Sequence, residues 1–148
     1  MERGNFMADT RNSSNVNREL LQNELGLRRL ANTTIFLGDN TFILSPSVQN
    51  QYKWFDVRKV NLDRYHGTTY KGYLLIRYFN KLLFTDLESF IQKMITTDKY
   101  VDNQNIGVHW KFNIEQSQEE YTIRSRQDRT ITYTLNEYSV ADIKRELL

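Results

Sequence analysis

Hydrophobic and polar positions change their period several times along this chain, and each change marks an element. From Asn17 to Leu30 the leucines at 20, 21, 25 and 30 fall on a helical stripe, weakened in its second half by Gly26. Thr33 to Leu37 and Thr41 to Ser45 are β-branched and aromatic runs separated by Gly38, Asp39 and Asn40, which tolerate positive φ, so a hairpin is expected there. The run KWFDVRKVNL reads as a strand with Trp54, Asp56 and Arg58 on one face and Phe55, Val57 and Lys59 on the other. A connection from Asp63 to Gly72 follows, and GYLLIRYF is apolar throughout, as a strand covered on both faces would be.

A short strand, Leu82 to Thr85, leads into a helix opened by a predicted capping box of Thr85 and Glu88, with Leu87, Phe90, Ile91, Met94 and Ile95 on its apolar stripe. Beyond the Asn-rich loop at 102–105, Val108, Trp110, Phe112 and Ile114 alternate inward while His109, Lys111 and Asn113 point outward. Tyr121 to Arg126 and Thr130 to Leu135 form a second predicted hairpin, and Ser139 caps a C-terminal helix whose apolar side is Val140, Ile143 and Leu147. The fold class expected is α+β: a mostly antiparallel mixed sheet of six to eight strands, a packed central helix, and N- and C-terminal helices. Residues 1–15 carry no hydrophobic period and read as a flexible polar arm, and 16–148 as a single domain.

Composition narrows the chemistry. At 148 residues, with 39% hydrophobic and 13% aromatic side chains, the chain can bury one core, so wholesale disorder is excluded. No apolar run has the length of a membrane span or the pattern of a secretion signal, which leads us to expect a soluble, cytoplasmic protein with no membrane partner. The lack of cysteine excludes disulfides, thiolate metal sites and a cysteine nucleophile. His66 and His109 have no spaced carboxylate or second histidine and are read as bystanders. Neither a nucleophile elbow nor a phosphate-binding loop nor a dinucleotide fingerprint is present.

Charge changes the picture more. The formal net charge is only +2, yet from Tyr52 to Lys81 seven basic residues stand against two acids, a local excess of +5. Aromatics are interleaved with these cations, and later basic residues fall on outward strand positions. Cations hold phosphates and flat rings stack on bases, so the expected nucleic-acid contacts are Lys53, Trp54, Arg58, Lys59, Arg64, Lys111, Arg124 and Arg126.

The segment YKWFDVRKVNL resembles the acid-x-lysine strand of PD-(D/E)XK nucleases of the restriction-endonuclease type. The order that follows is similar over roughly residues 39 to 115: GYLLIRYF, a short strand, a helix opening in DLxxF, and GVHWKFNI. The resemblance implies Asp56 as an acidic metal ligand, Asp39 as the upstream aspartate, and Mg²⁺ as the cofactor two such carboxylates would hold beside a scissile phosphate. It puts Arg58, which stays protonated, where the family has its lysine, so the implied site (Asp39, Asp56, Arg58) is a degenerate or weak nuclease. The function expected is a nucleic-acid-binding domain of restriction-nuclease-like texture, with DNA favoured over RNA. The alternative is a non-enzymatic protein-binding module, a small inhibitor or assembly component.

Overall fold

In a computed structural model, residues 18–148 are described; the expected polar arm at 1–15 lies outside them. Eleven strands form one sheet, more than the six to eight expected. They are β1 (Arg28–Arg29), β2 (Ile35–Gly38), β3 (Thr41–Leu44), β4 (Ser47–Val48), β5 (Trp54–Arg58), β6 (Lys71–Tyr78), β7 (Lys81–Asp86), β8 (Val101–Asn103), β9 (Gly107–Ser117), β10 (Glu120–Ser125) and β11 (Thr132–Glu137). The surplus comes from β1, β4 and β8, two or three residues each, which exist because a longer neighbour offers them backbone partners.

The spatial order is β1-β2-β3-β6-β7-β11-β10-β9-β5, with β4 on β6 and β8 on β9. All pairings are antiparallel except β3 and β4 against β6. Two wings result. The first holds β1 to β4, β6 and β7, the second β5 and β8 to β11. They meet where Asn136 and Glu137 of β11 pair with Phe84 and Leu83 of β7.

Alternation explains what each wing buries. In the first, Ile35, Phe42, Leu44, Leu74, Ile76 and Leu83 face an inner core shared with Phe55, Val57, Trp110, Phe112, Ile114, Ile123 and Leu135 of the second. The intervening residues Phe36, Ile43, Leu75, Leu82 and Phe84 face the other way, under Leu21, Leu27 and Ile143. The first wing is thus covered on both faces, as the continuous apolar run of β6 predicts. On β5, β9, β10 and β11 of the second wing, Trp54 apart, the apolar residues hold the inner positions.

Three helices complete the fold. Leu87–Met94 lays Leu87, Phe90 and Met94 into the inner core, in the expected orientation. Its cap differs from expectation: Asp86 accepts the Ser89 N–H at 2.8 Å, while Thr85 stays in β7 against the Tyr133 hydroxyl. Glu88 is drawn elsewhere, accepting a bond from the Tyr65 hydroxyl at 2.8 Å. Val140–Leu147 has the Ser139 cap, made reciprocal by Asp142. The expected N-terminal helix reduces to a π-helical turn, Leu20–Glu24, because Gly26 takes φ +67° and redirects the chain into β1.

The third helix, Lys59–His66, falls where a strand end and an open connection were expected. Burial of Asn61, Leu62 and Tyr65 sets its inner face, and Lys59 pairs with Asp63 one turn on at 2.9 Å. The Tyr65 ring lies on Gly72 so closely that a Cβ there would sit 2.5 Å from it, which explains a glycine inside the central strand.

Candidate nucleic-acid interface

The uncovered face of the second wing collects most of the residues singled out in the sequence. Cross-strand register fixes them: Trp54 lies opposite Asn113, which lies opposite Arg124, and Asp56 lies opposite Lys111. Arg126 follows, its N–H donating to the Lys111 carbonyl at 2.9 Å. These positions alternate with the buried Phe55, Val57, Phe112, Ile114 and Ile123, so period two brings the polar set to one surface.

Trp54 is its centre. The indole is half-buried, with Lys111 Nζ 5.3 Å and Arg126 Cζ 5.9 Å from the ring centroid. Both lie within cation–π range, so the electron-rich ring face helps hold the cations on the sheet. Tyr52, 67% exposed, precedes it, and its carbonyl accepts a bond from Asn113 Nδ2 at 3.3 Å. Trp110, the other tryptophan, is buried and donates from its indole N–H to the Thr96 carbonyl at 2.9 Å.

The other cations divide by what holds them. Arg124 grips Glu115 through two bonds, Nε to Oε2 at 2.9 Å and Nη2 to Oε1 at 3.1 Å. That grip draws the Glu115 carboxyl below its ordinary range and neutralises the guanidinium, which also donates to the Arg129 carbonyl. Lys59 is taken by Asp63 on the helix surface, and Arg64 donates to Asn61 Oδ1 at 3.0 Å. Among the described residues, Lys53, Arg58, Lys111 and Arg126 have no carboxylate within ion-pair distance.

No family model matches this chain, and no curated protein matches it in sequence. What the face can do follows from its own side chains.

The nuclease residues are not brought together. Asp39 sits in the β2–β3 turn and lines a cleft with Arg28, Asn40 and Tyr70. Asp56 lines a different cleft, reached by the same hairpin only at its far end, through Thr34 and Leu44. Among the described residues, no three His, Asp or Glu side chains converge as metal ligands. Arg58 closes β5 and enters the following helix, within the same cleft as Asp56.

His109, expected to point outward, is 1% exposed, its Nδ1 2.9 Å from the Gly107 carbonyl. That oxygen can only accept, so Nδ1 carries the proton and the ring is structural. One residue of interest had no signal in the sequence: Arg29, placed across the cleft from β5 by a two-residue strand. No helix of the described residues is long and apolar enough to cross a membrane.

Proposed function

We propose that this chain is a nucleic-acid-binding domain that takes a single strand across the open face of its second wing. The observation that carries the reading is Trp54 with Lys111 and Arg126 against its ring, on a sheet face that the described residues leave without an apolar cover. A base stacking on the indole replaces the two cations over the ring and meets them with its phosphates. Stacking of this kind contributes about 1–3 kcal/mol per base and accepts any base, and each phosphate held by a cation adds a salt-dependent term. Arg58 and Lys53 extend the positive field along β5. DNA remains the favoured strand, and a duplex fits less well because its bases offer no open ring face.

Support for a binder over a metal-dependent nuclease comes from the two aspartates, which line separate clefts, Asp39 in the β2–β3 turn and Asp56 on β5. The test is fluorescence titration with a twelve-residue oligothymidylate. Trp54 emission is expected to be quenched at about 50 mM salt and to recover towards 200 mM, with Lys111→Ala flattening the salt slope by about one ion. Absence of quenching at low salt, or binding indifferent to salt, overturns the reading.

A further inference from the structure

Beside the platform, the free edge of β5 forms one wall of a cleft of about 890 Å³. The bond from Ile114 N–H to the Lys53 carbonyl fixes the phase of the strand: residues 53, 55 and 57 pair with β9, while the backbone groups of Trp54, Asp56 and Arg58 turn towards the cleft. Asn50 Nδ2 takes the Trp54 carbonyl at 3.1 Å. Three guanidiniums, Arg29, Arg58 and Arg64, line the space against one carboxylate, Asp56. Arg58 and Arg64 come from the strand and the helix that follows it, while Arg29 is brought to them from a strand far earlier in the sequence, so the fold completes the set.

Two further observations describe what the cleft lacks. Ser47 and Asn50 line it, and their Oγ and Oδ1 atoms are buried with no hydrogen-bond partner among the described residues; such atoms are costly unless something meets them. The Lys59–His66 helix also starts here, at Arg58, with no side chain capping its first N–H groups and no acid in its first turn. Arginines suit the oxyanions of a phosphate, and an orphan hydroxyl and an orphan amide oxygen in the same lining suit a polar body carrying both donors and acceptors.

We propose that this cleft is a nucleotide phosphate site, with Arg29, Arg58 and Arg64 on the phosphate and Ser47 and Asn50 on the sugar or base. It rests on the platform reading only for the choice of a nucleotide as the phosphate's carrier. The phosphate comes either from the end of a bound strand or from a free mononucleotide.

The experiment follows the arginine Nε–H resonances of the ¹⁵N-labelled full chain. Probes are thymidine monophosphate, oligothymidylates of eight residues with and without a 5′-phosphate, sodium chloride at matched ionic strength, and an octaglutamate peptide. The expected result is saturable movement of the Arg29, Arg58 and Arg64 signals with thymidine monophosphate beyond that in chloride. R29Q and R64Q are each expected to weaken binding about tenfold or more while leaving the melting temperature unchanged.

Tighter binding of the phosphorylated oligomer than of the mononucleotide assigns the phosphate to a strand end, and equal binding assigns it to a free nucleotide. No movement beyond chloride, unchanged affinity in both variants, or an equal response to octaglutamate overturns the proposal, the last by giving the cleft to an acidic protein segment. Failure of the platform reads differently: the 5′-hydroxyl oligomer leaves Trp54 emission unquenched while the mononucleotide still moves the arginine signals.

Discussion

The two wings of the sheet are made from the same kind of alternating strand, yet one buries both faces and the other only one. Leu75 and Ile76 are adjacent in β6 and both fully buried, on opposite faces. Ile123 and Thr122 are adjacent in β10, but only Ile123 is buried. The first wing is a foundation, clamped between the inner core and the terminal helical segments. The second shares that core, and the described residues put no apolar layer over its Trp54 face. A functional surface is placed with least strain where rigidity is supplied from behind, because the side chains in front then need not pack.

Truncations should separate the wings most sharply. Leu75→Ala and Ile76→Ala are each expected to cost about 2–5 kcal/mol, since both faces of β6 are closed, and Ile123→Ala in the second wing should cost a similar amount. Chemical denaturation measures this, and a small loss for Leu75→Ala would show that the outer layer is loosely seated. Next in size is Trp54→Ala, which should leave the unfolding midpoint nearly unchanged while removing about 1–3 kcal/mol of oligonucleotide affinity. A variant that unfolds instead would make Trp54 part of the foundation and erase the contrast.

A smaller effect belongs to Asp86, which caps the Leu87–Met94 helix and is paired with Lys71. Partial burial raises its pKa, but the bonds from Lys71, the Ser89 N–H and the Ser89 hydroxyl outweigh this and hold it below its ordinary value. A carboxylate depressed in the folded state contributes fully above the unfolded value, near pH 4, and loses that contribution as pH falls through the folded one. Asp86→Ala should therefore cost about 1 kcal/mol near neutrality and less in acid, as parallel denaturation at pH 7 and pH 3 would show. The smallest expected change is Thr122→Ala on the open face, within about 0.5 kcal/mol of the parent. A larger loss there would mean that this face carries structural weight.

What the sequence disclosed follows from the range of the interactions involved. Period-two alternation was enough to put Trp54 on one side of β5 with Asp56 and Arg58, and Lys111 on one side of β9 with Asn113, because strand geometry alone fixes those sides, but bringing Trp54, Lys111 and Arg126 together took the β5–β9–β10 register. The Ser139 cap was legible for the same reason, its partners being three residues apart. Lys59 was misassigned because the strand pattern runs on past Arg58, while the helix is set by Leu62 entering the inner core and Tyr65 docking on a glycine in β6. The outward reading of His109 failed because alternation gives a direction but not what covers the side chain. Arg29 could not be read at all, since its strand depends on β2 for every pairing. The pairing of Arg124 with Glu115 likewise depends on the β9–β10 register, and it removes from the interface a cation that composition alone would count.

The seam between the wings has a consequence for how the chain is assembled. The β6–β7 hairpin and the β9–β10–β11 meander each form from neighbouring segments, and among the described residues the backbone bonds between them are confined to the last two residues of β11 and the bond from Tyr138 N–H to the Leu82 carbonyl. Among the described residues β5 has a single strand partner, β9, which is made after β6, β7 and β8. During synthesis Phe55 and Val57 therefore leave the ribosome long before the strand that shelters them, and the segment carrying Trp54 spends that interval as an unpaired, sticky edge. The face proposed for recognition therefore lies on a strand that waits for its partner while the chain is being made.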